Sequence, residues 1–230
     1  MEVGVTLNDA ILLAWERLRD RVEVKRDLDF DHEFTLQFHL AWEVTRILGF
    51  PENLGVRFEV PCGCDADGET IRLDLLLWTD PKAKVAVELK APLRSETGMN
   101  SAMTQFRMRF YHDLHRLRHL VESRTHDIVS GYFVAVVNEK GYIIERGQRV
   151  NLAYRTYHGT VLPASHVVPP DPGPNGYRFP LIMPAREIRW QWLCNGSGGE
   201  ISLAGGMRHF WLKPIFVERG DTISRVGPEP

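Results

Sequence analysis

The chain is poor in cysteine, with three in 230 residues. An odd and small number excludes a disulfide framework and points to a reducing compartment. Cys62 and Cys64 form a C-x-C pair and Cys194 stands far away. That is too few ligands for a structural zinc, so the three read as ordinary thiols, two of them near a turn. A dominant charge of one sign is also missing. Lys and Arg number 28 against 30 Asp and Glu, a formal net charge of −2. The chain is therefore no globally basic nucleic-acid coat, and any anion-binding surface has to be local. No apolar run reaches the ~20 residues that cross a bilayer. The N-terminal stretch MEVGVTLNDAILLAWERLRD has neither a basic leader nor a small-residue cleavage site. A soluble, cytoplasmic protein with no membrane partner is expected. There is no GxxxxGK[ST] loop, which lowers the reading of a small-nucleotide enzyme. Nine histidines show no HxH or HExxH spacing. His112, His115 and His119 fall at i, i+3 and i+7 and read as part of a basic helix face.

What is present is an ordinary globular composition, 43% hydrophobic and 25% charged, on a chain long enough for one well-buried core. Asn8 or Asp9 can cap a first helix running towards Arg21. A second helix starts near DFDHEF, with Asp29 or Asp31 as its cap, and stops at Gly49 before Pro51. A strand over 55–61 leads through the Gly/Asp-rich CGCDADGE into a hairpin, IRLDLLLWTDPKAKVAVELKAP. The stretch after Pro92 is a long helix whose Met103, Phe106, Phe110, Leu114, Leu117 and Val121 make one core face. Residues 131–145 read as strand, turn and second strand. Beyond residue 150 the texture changes. Seven of the fourteen prolines lie between Pro163 and Pro184, which marks a loop. Two later runs, REIRWQWLC and MRHFWLKPIFV, look like strands. One domain over 1–230 is expected, with its core over about 30–145 and an elaboration over about 150–230.

The hairpin carries charges that a buried sheet ought to avoid. With period two, Ile71, Leu73, Leu75 and Leu77 share one face, and Arg72, Asp74, Leu76 and Trp78 share the other. On the second strand Ala86, Glu88 and Lys90 face together, opposite Val85, Val87 and Leu89. If Asp-Pro-Lys forms the turn, Asp74 lies opposite or diagonal to Glu88. Two carboxylates placed there repel, and desolvating either is costly. A divalent cation removes both problems, and hard oxygen ligands suit Mg²⁺. Lys90 on the same face could orient or help deprotonate a metal-bound water, or neutralise charge developing on a phosphate.

Asp74, thirteen intervening residues and Glu88-Leu89-Lys90 resemble the catalytic core of the PD-(D/E)xK phosphodiesterase superfamily, with Leu73 where proline often stands. The resemblance covers roughly residues 30–145. It implies a restriction-endonuclease-like αβββαβ core in an α/β fold, a mixed sheet flanked by helices. It also implies Asp74, Glu88 and the Leu89 carbonyl as metal ligands, with Mn²⁺ able to replace Mg²⁺, and Lys90 positioning the attacking water. The family often adds an acid from the preceding helix. Glu33, early in HEFTLQFHLA, is favoured over Glu43, which shares a face with Leu36, Leu40 and Ile47. The plain alternatives are a helix N-terminal charge for Glu33 and an i,i+3 partner of Arg46 for Glu43.

Gln105, Arg109, His112, Arg116 and His119 form a polar stripe on the following helix. From Lys82 to Arg124 there are nine Lys or Arg against four acids, the local basic surface that the overall charge conceals. A phosphate backbone would run there, with Gln105 and Arg109 nearest the scissile group; a solvated helix face is the bland reading. The expected function is a Mg²⁺-dependent nuclease on DNA, of restriction type, with a homodimer by analogy. The alternatives are a nucleic-acid-binding or assembly module that keeps the fold without cutting, and a metal enzyme on a small phosphorylated or nucleotide substrate.

Overall fold

Leu7–Asp20 form the first helix, α1, because Thr6 and Asp9 close a reciprocal cap: Thr6 Oγ1 accepts from the Asp9 N–H at 3.2 Å, and Asp9 accepts from the Thr6 N–H at 3.3 Å. The cap is thus Thr6 and not Asn8 or Asp9, since the pairing needs an acid at the third helical position. The computed structural model describes residues 4–30, 32–64, 70–93, 103–144, 154–162, 167–168, 181–182, 186–191 and 209–219. Ala10, Ile11, Ala14, Trp15 and Leu18 make the buried stripe of α1, which runs on into a single π-turn, Arg21–Lys25.

The second helix, α2, spans Glu33–Ile47, with His32 at the cap position but making no side-chain bond there. Asp29 accepts instead from the adjacent Phe30 N–H, at 3.1 Å; Asp31 lies outside the described residues. Gly49 ends the helix with φ +75, a left-handed step that glycine adopts without a Cβ penalty. Leu36, Leu40 and Val44 point inward, while Phe34, Phe38 and Trp42 form an exposed aromatic row.

Strand β1 (Gly55–Cys64) reaches further than 55–61 and pairs antiparallel with β2 (Thr70–Trp78), which pairs antiparallel with β3 (Lys84–Lys90). Asp80 builds the turn between the last two: its carboxylate accepts from the Lys82 N–H at 2.9 Å and its carbonyl from the Ala83 N–H at 3.0 Å. Helix α3 (Met103–Ser123) then crosses over the sheet to β4 (Ile128–Val137), which runs parallel to β3. From α2 onward the order is therefore helix, three strands, helix, strand, with a mixed sheet between flanking helices. Gly131 of β4 lets α3 lie close; a Cβ there would meet Leu117 Cδ1 at 2.5 Å.

Among the described residues after the turn, 142–144, the expected second strand is absent. Lys140–Tyr142 form a 3₁₀ turn, because Arg107 Nη2 of α3 captures the Gly141 carbonyl at 2.7 Å and Tyr142 turns inward onto Phe106. Each late run divides in two. The strands are β5 (Thr160–Leu162), β6 (Val167–Val168), β7 (Leu181–Ile182), β8 (Arg186–Ile188), β9 (Trp190–Gln191), β10 (Phe210–Leu212) and β11 (Ile215–Glu218). The main sheet has the order β1-β2-β3-β4-β10-β9, and β11 shares the outer edge of β4 with β10. Strands β9, β10 and β11 thus complete the central sheet and do more than decorate it.

Two apolar clusters sandwich the sheet. Phe106, Phe110, Leu114, Leu117 and Val121 of α3 pack on Ala86, Phe133, Ala135 and Val137. On the other face α1 and α2 cover Leu75, Leu77, Val85, Val87, Leu89, Val134 and Val136. Burying each of these larger side chains contributes about 1.5–3 kcal/mol. Leu73 departs from the expected alternation and joins the α3 cluster, beside the register shift at Pro61/Gly63 of β1. Among the described residues no helix is long and apolar enough to cross a membrane.

Candidate active site

Period-two alternation puts Asp74 and Glu88 on the α3 face of the sheet, in line with Leu76 and Ala86. The β2–β3 register pairs Leu75 with Val87, so the next step sets the two acids across from each other. Both are buried, Asp74 at 6% exposure and Glu88 at 0%. Asp74 Oδ2 accepts from the Leu89 backbone N–H at 2.6 Å. Neither acid faces solvent, so each needs a compensating charge from within the protein or from a ligand.

Helix α3 supplies part of that charge and adds an acid. Arg116 forks onto Glu88, Nε to Oε1 at 2.9 Å and Nη2 to Oε2 at 2.5 Å. The same guanidinium lies 3.1 Å from Asp113 Oδ1. Lys90 Nζ is 3.0 Å from Asp113 Oδ2 and 3.3 Å from Glu33 Oε1. The other oxygen of Glu33 accepts from the Ala91 N–H at 3.0 Å. Thus the first residue of α2 reaches the carboxyl end of β3, and one connected cluster joins Glu33, Asp74, Glu88, Lys90, Asp113 and Arg116.

Four carboxylates therefore surround two cations, a formal excess of −2. The two hairpin acids hold their protons more firmly than free carboxylates do. Burial pushes Asp74 up to about 6, against the pull of Lys90. Burial also holds Glu88 well above the usual carboxylate range, although Arg116 opposes it. Asp113 goes the other way: burial would raise it, but Lys90 and Arg116 together bring it below the ordinary value. Lys90 loses to burial yet gains more from Asp113, Asp74 and Glu33, so its ammonium is held more firmly than a free lysine's.

The residues singled out from the sequence divide accordingly. Glu33 joins Asp74, Glu88 and Lys90. Glu43 is buried elsewhere, bonded to Arg21 Nη1 at 2.9 Å and Arg46 Nη1 at 3.3 Å. Of the α3 stripe, Gln105, Arg109 and His119 are exposed and His112 is half-buried, its Nδ1 3.7 Å from Asp113. Arg116 sits inside the acid cluster. The basic surface is accordingly smaller than the count of nine suggested, since Arg107, Lys90 and Arg116 are all engaged internally. Asp113 was missed. Its signal was present, for it falls in the row 106, 110, 113, 117, 120, where every other residue is apolar.

A divalent cation fits the cluster in charge and in chemistry. Two units of positive charge would neutralise the excess, and carboxylate oxygens with a backbone carbonyl are the hard donors that Mg²⁺ takes. The donors do not stand ready, however. Among the described residues no three His, Cys, Asp or Glu side chains converge to hold a metal by themselves, and both oxygens of Glu88 face Arg116. The chain matches no protein-family model, no curated protein and no solved structure. Its chemistry has to be read from these six residues.

Proposed function

We propose that the chain is a Mg²⁺-dependent nuclease that hydrolyses phosphodiester bonds in DNA, with a restriction-endonuclease-like core. The observation that carries this reading is the gathering of four carboxylates, three of them buried, around only two cations at the carboxyl end of β3. A purely structural cluster would be balanced, because an uncompensated buried carboxylate costs several kcal/mol. The non-cutting alternative has to explain why such a cost is retained.

Asp74, Glu88 and the Leu89 carbonyl would hold Mg²⁺, or Mn²⁺ in its place. When bound, the ion supplies charge stabilisation at the reacting phosphate and acidifies a coordinated water. Asp74 is aligned by its bond from the Leu89 N–H, so acid and carbonyl are tied to the same point of β3. Lys90 works as a fixed donor. Flanked by Asp113 and Glu33 it stays an ammonium, which suits it to orient a water or meet charge on phosphate and unsuits it as the base. Glu33 keeps Lys90 in place and completes the acidic shell. Gln105 and Arg109, exposed on α3, are positioned to meet the DNA backbone, as is half-buried His112. A homodimer belongs to the same proposal by analogy with restriction enzymes, which pair two centres to cut both strands of a duplex.

The test is cleavage of supercoiled, linear and single-stranded DNA in Mg²⁺ or Mn²⁺ against EDTA, with wild type beside Lys90→Ala. Metal-dependent cutting that Lys90→Ala abolishes, at unchanged circular dichroism, supports the nuclease. Tight DNA binding with no cutting of any substrate would favour the binding module.

A further inference from the structure

We propose that Arg116 is a placeholder cation: it occupies Glu88 in the metal-free protein and leaves it, towards the substrate phosphate, when a divalent ion takes the carboxylate. This rests on the reading of Asp74 and Glu88 as metal ligands. Glu88 is fully buried, so without a metal the cation that stabilises its carboxylate has to come from the protein. Arg116 does so with two bonds, at 2.9 and 2.5 Å. A guanidinium fork matches a carboxylate and a phosphate equally well, because both present two oxygens to parallel N–H donors. It can therefore exchange one for the other without losing paired hydrogen bonds.

The neighbourhood provides for such an exchange. Arg116 is also 3.1 Å from Asp113, one helical turn earlier on α3, so release from Glu88 leaves it tethered. Lys90 holds the second oxygen of Asp113 at 3.0 Å, which keeps that tether fixed. The Arg116 side chain is 16% exposed, so it reaches solvent from inside the cluster. Without metal, Glu88 is paired with the guanidinium; with metal, the formal excess of −2 is cancelled while Arg116 stays beside Asp113, its fork open to an incoming anion.

The idea makes an unusual prediction: a residue at the centre of the site opposes metal binding. DNA-free protein would be titrated with Mn²⁺, read by electron paramagnetic resonance of the free ion and by calorimetry, for wild type, Arg116→Met and Arg116→Lys. Arg116→Met should bind tighter by on the order of tenfold or more, the scale on which outer-shell partners act. Arg116→Lys keeps the charge but loses the fork, so it should also bind tighter, by less. It guards against a folding failure of the methionine variant. Weaker binding in both variants would make Arg116 an aligner of Glu88 and overturn the inference while leaving the metal site standing. Tighter binding in Arg116→Met with Arg116→Lys at the wild-type value would reduce the effect to net charge and overturn it too. No Mn²⁺ binding by any of the three proteins would remove the metal reading and the placeholder together.

Discussion

Among the described residues, two of the groups of buried charge invite comparison, one on the α3 face of the sheet and one beneath α1. In the second, Glu23 of the π-turn accepts from His209 Nδ1 at 2.9 Å and from Trp211 Nε1 at 3.0 Å. Phe30 stacks on His209 at 5.1 Å and Trp15 meets Trp211 edge-on at 4.8 Å. One carboxylate meets donors across 186 and 188 residues of sequence, and pins the N-terminal helix to β10. The first group holds four acids and two cations. Burial is common to both, so burial does not mark a site. The difference lies in the partners: Glu23 is met by donors within the protein, while the first group holds more acids than cations and leaves charge for a ligand.

The comparison can be broken most sharply through activity. Asp74→Asn and Glu88→Gln should each lower metal-dependent DNA cleavage by at least ~10²- to 10³-fold, the scale of losing one preorganised charge contact. Glu23→Gln should leave the rate per folded molecule intact. Equal losses on both faces, measured at matched folded fraction, would erase the distinction. Next in size is stability. Glu23→Ala strips the partner from His209 and Trp211 and should cost about 3 kcal/mol in urea unfolding, with no change in Mn²⁺ affinity.

A smaller effect has the opposite sign. Asp74 is raised to about 6, so keeping it ionised costs the metal-free protein about 3 kcal/mol at most above that pH. Asp74→Asn preserves an acceptor for the Leu89 N–H and should stabilise the metal-free protein by about 1–2 kcal/mol at pH 8. Destabilisation there would show that Asp74 is structurally content. The smallest effect is the pH dependence itself. A folded-state value above the unfolded one means that Asp74's contribution to stability is present below about pH 4 and is lost as pH rises through 6. Asp113, held low by Lys90 and Arg116, works in reverse: its contribution is present above the unfolded value near 4 and lost as pH falls through its folded one. Metal-free Asp113→Asn should therefore soften the acid-side decline, and Asp74→Asn the decline between pH 4 and 6, to which Glu88, raised by burial, also contributes, in urea melts across that range.

Much of the fold was legible because it is local. The hairpin followed from alternation, α2 and α3 from apolar rows, and the end of α2 from Gly49. The missing strand after Asn138 was not legible, because a distant arginine, Arg107, decides what Gly141 does. The splitting of the late runs was hidden for a similar reason: β10 and β11 form where β4 offers an edge, and nothing within MRHFWLKPIFV announces that edge. At the site, Asp74, Glu88 and Lys90 stood out as charges in apolar strands. Asp113 breaks an apolar row just as plainly, the one beside the buried Phe110, Leu114, Leu117 and Val121.

By itself, then, the sequence determined the α/β order, the two carboxylates on one face of a hairpin, and the lysine beside them. These depend on periods of two and 3.6, which the chain carries within a few residues. Only the tertiary structure decided between Glu33 and Glu43 as the acid that reaches β3, and moved Arg116 from the basic surface into the acid cluster. Those outcomes depend on how closely α3 lies over Gly131 and where α2 begins relative to the end of β3. Which charge neutralises which is set by distances of a few ångströms between residues far apart in the chain, because Coulomb energy in a poorly hydrated interior falls with separation in space alone.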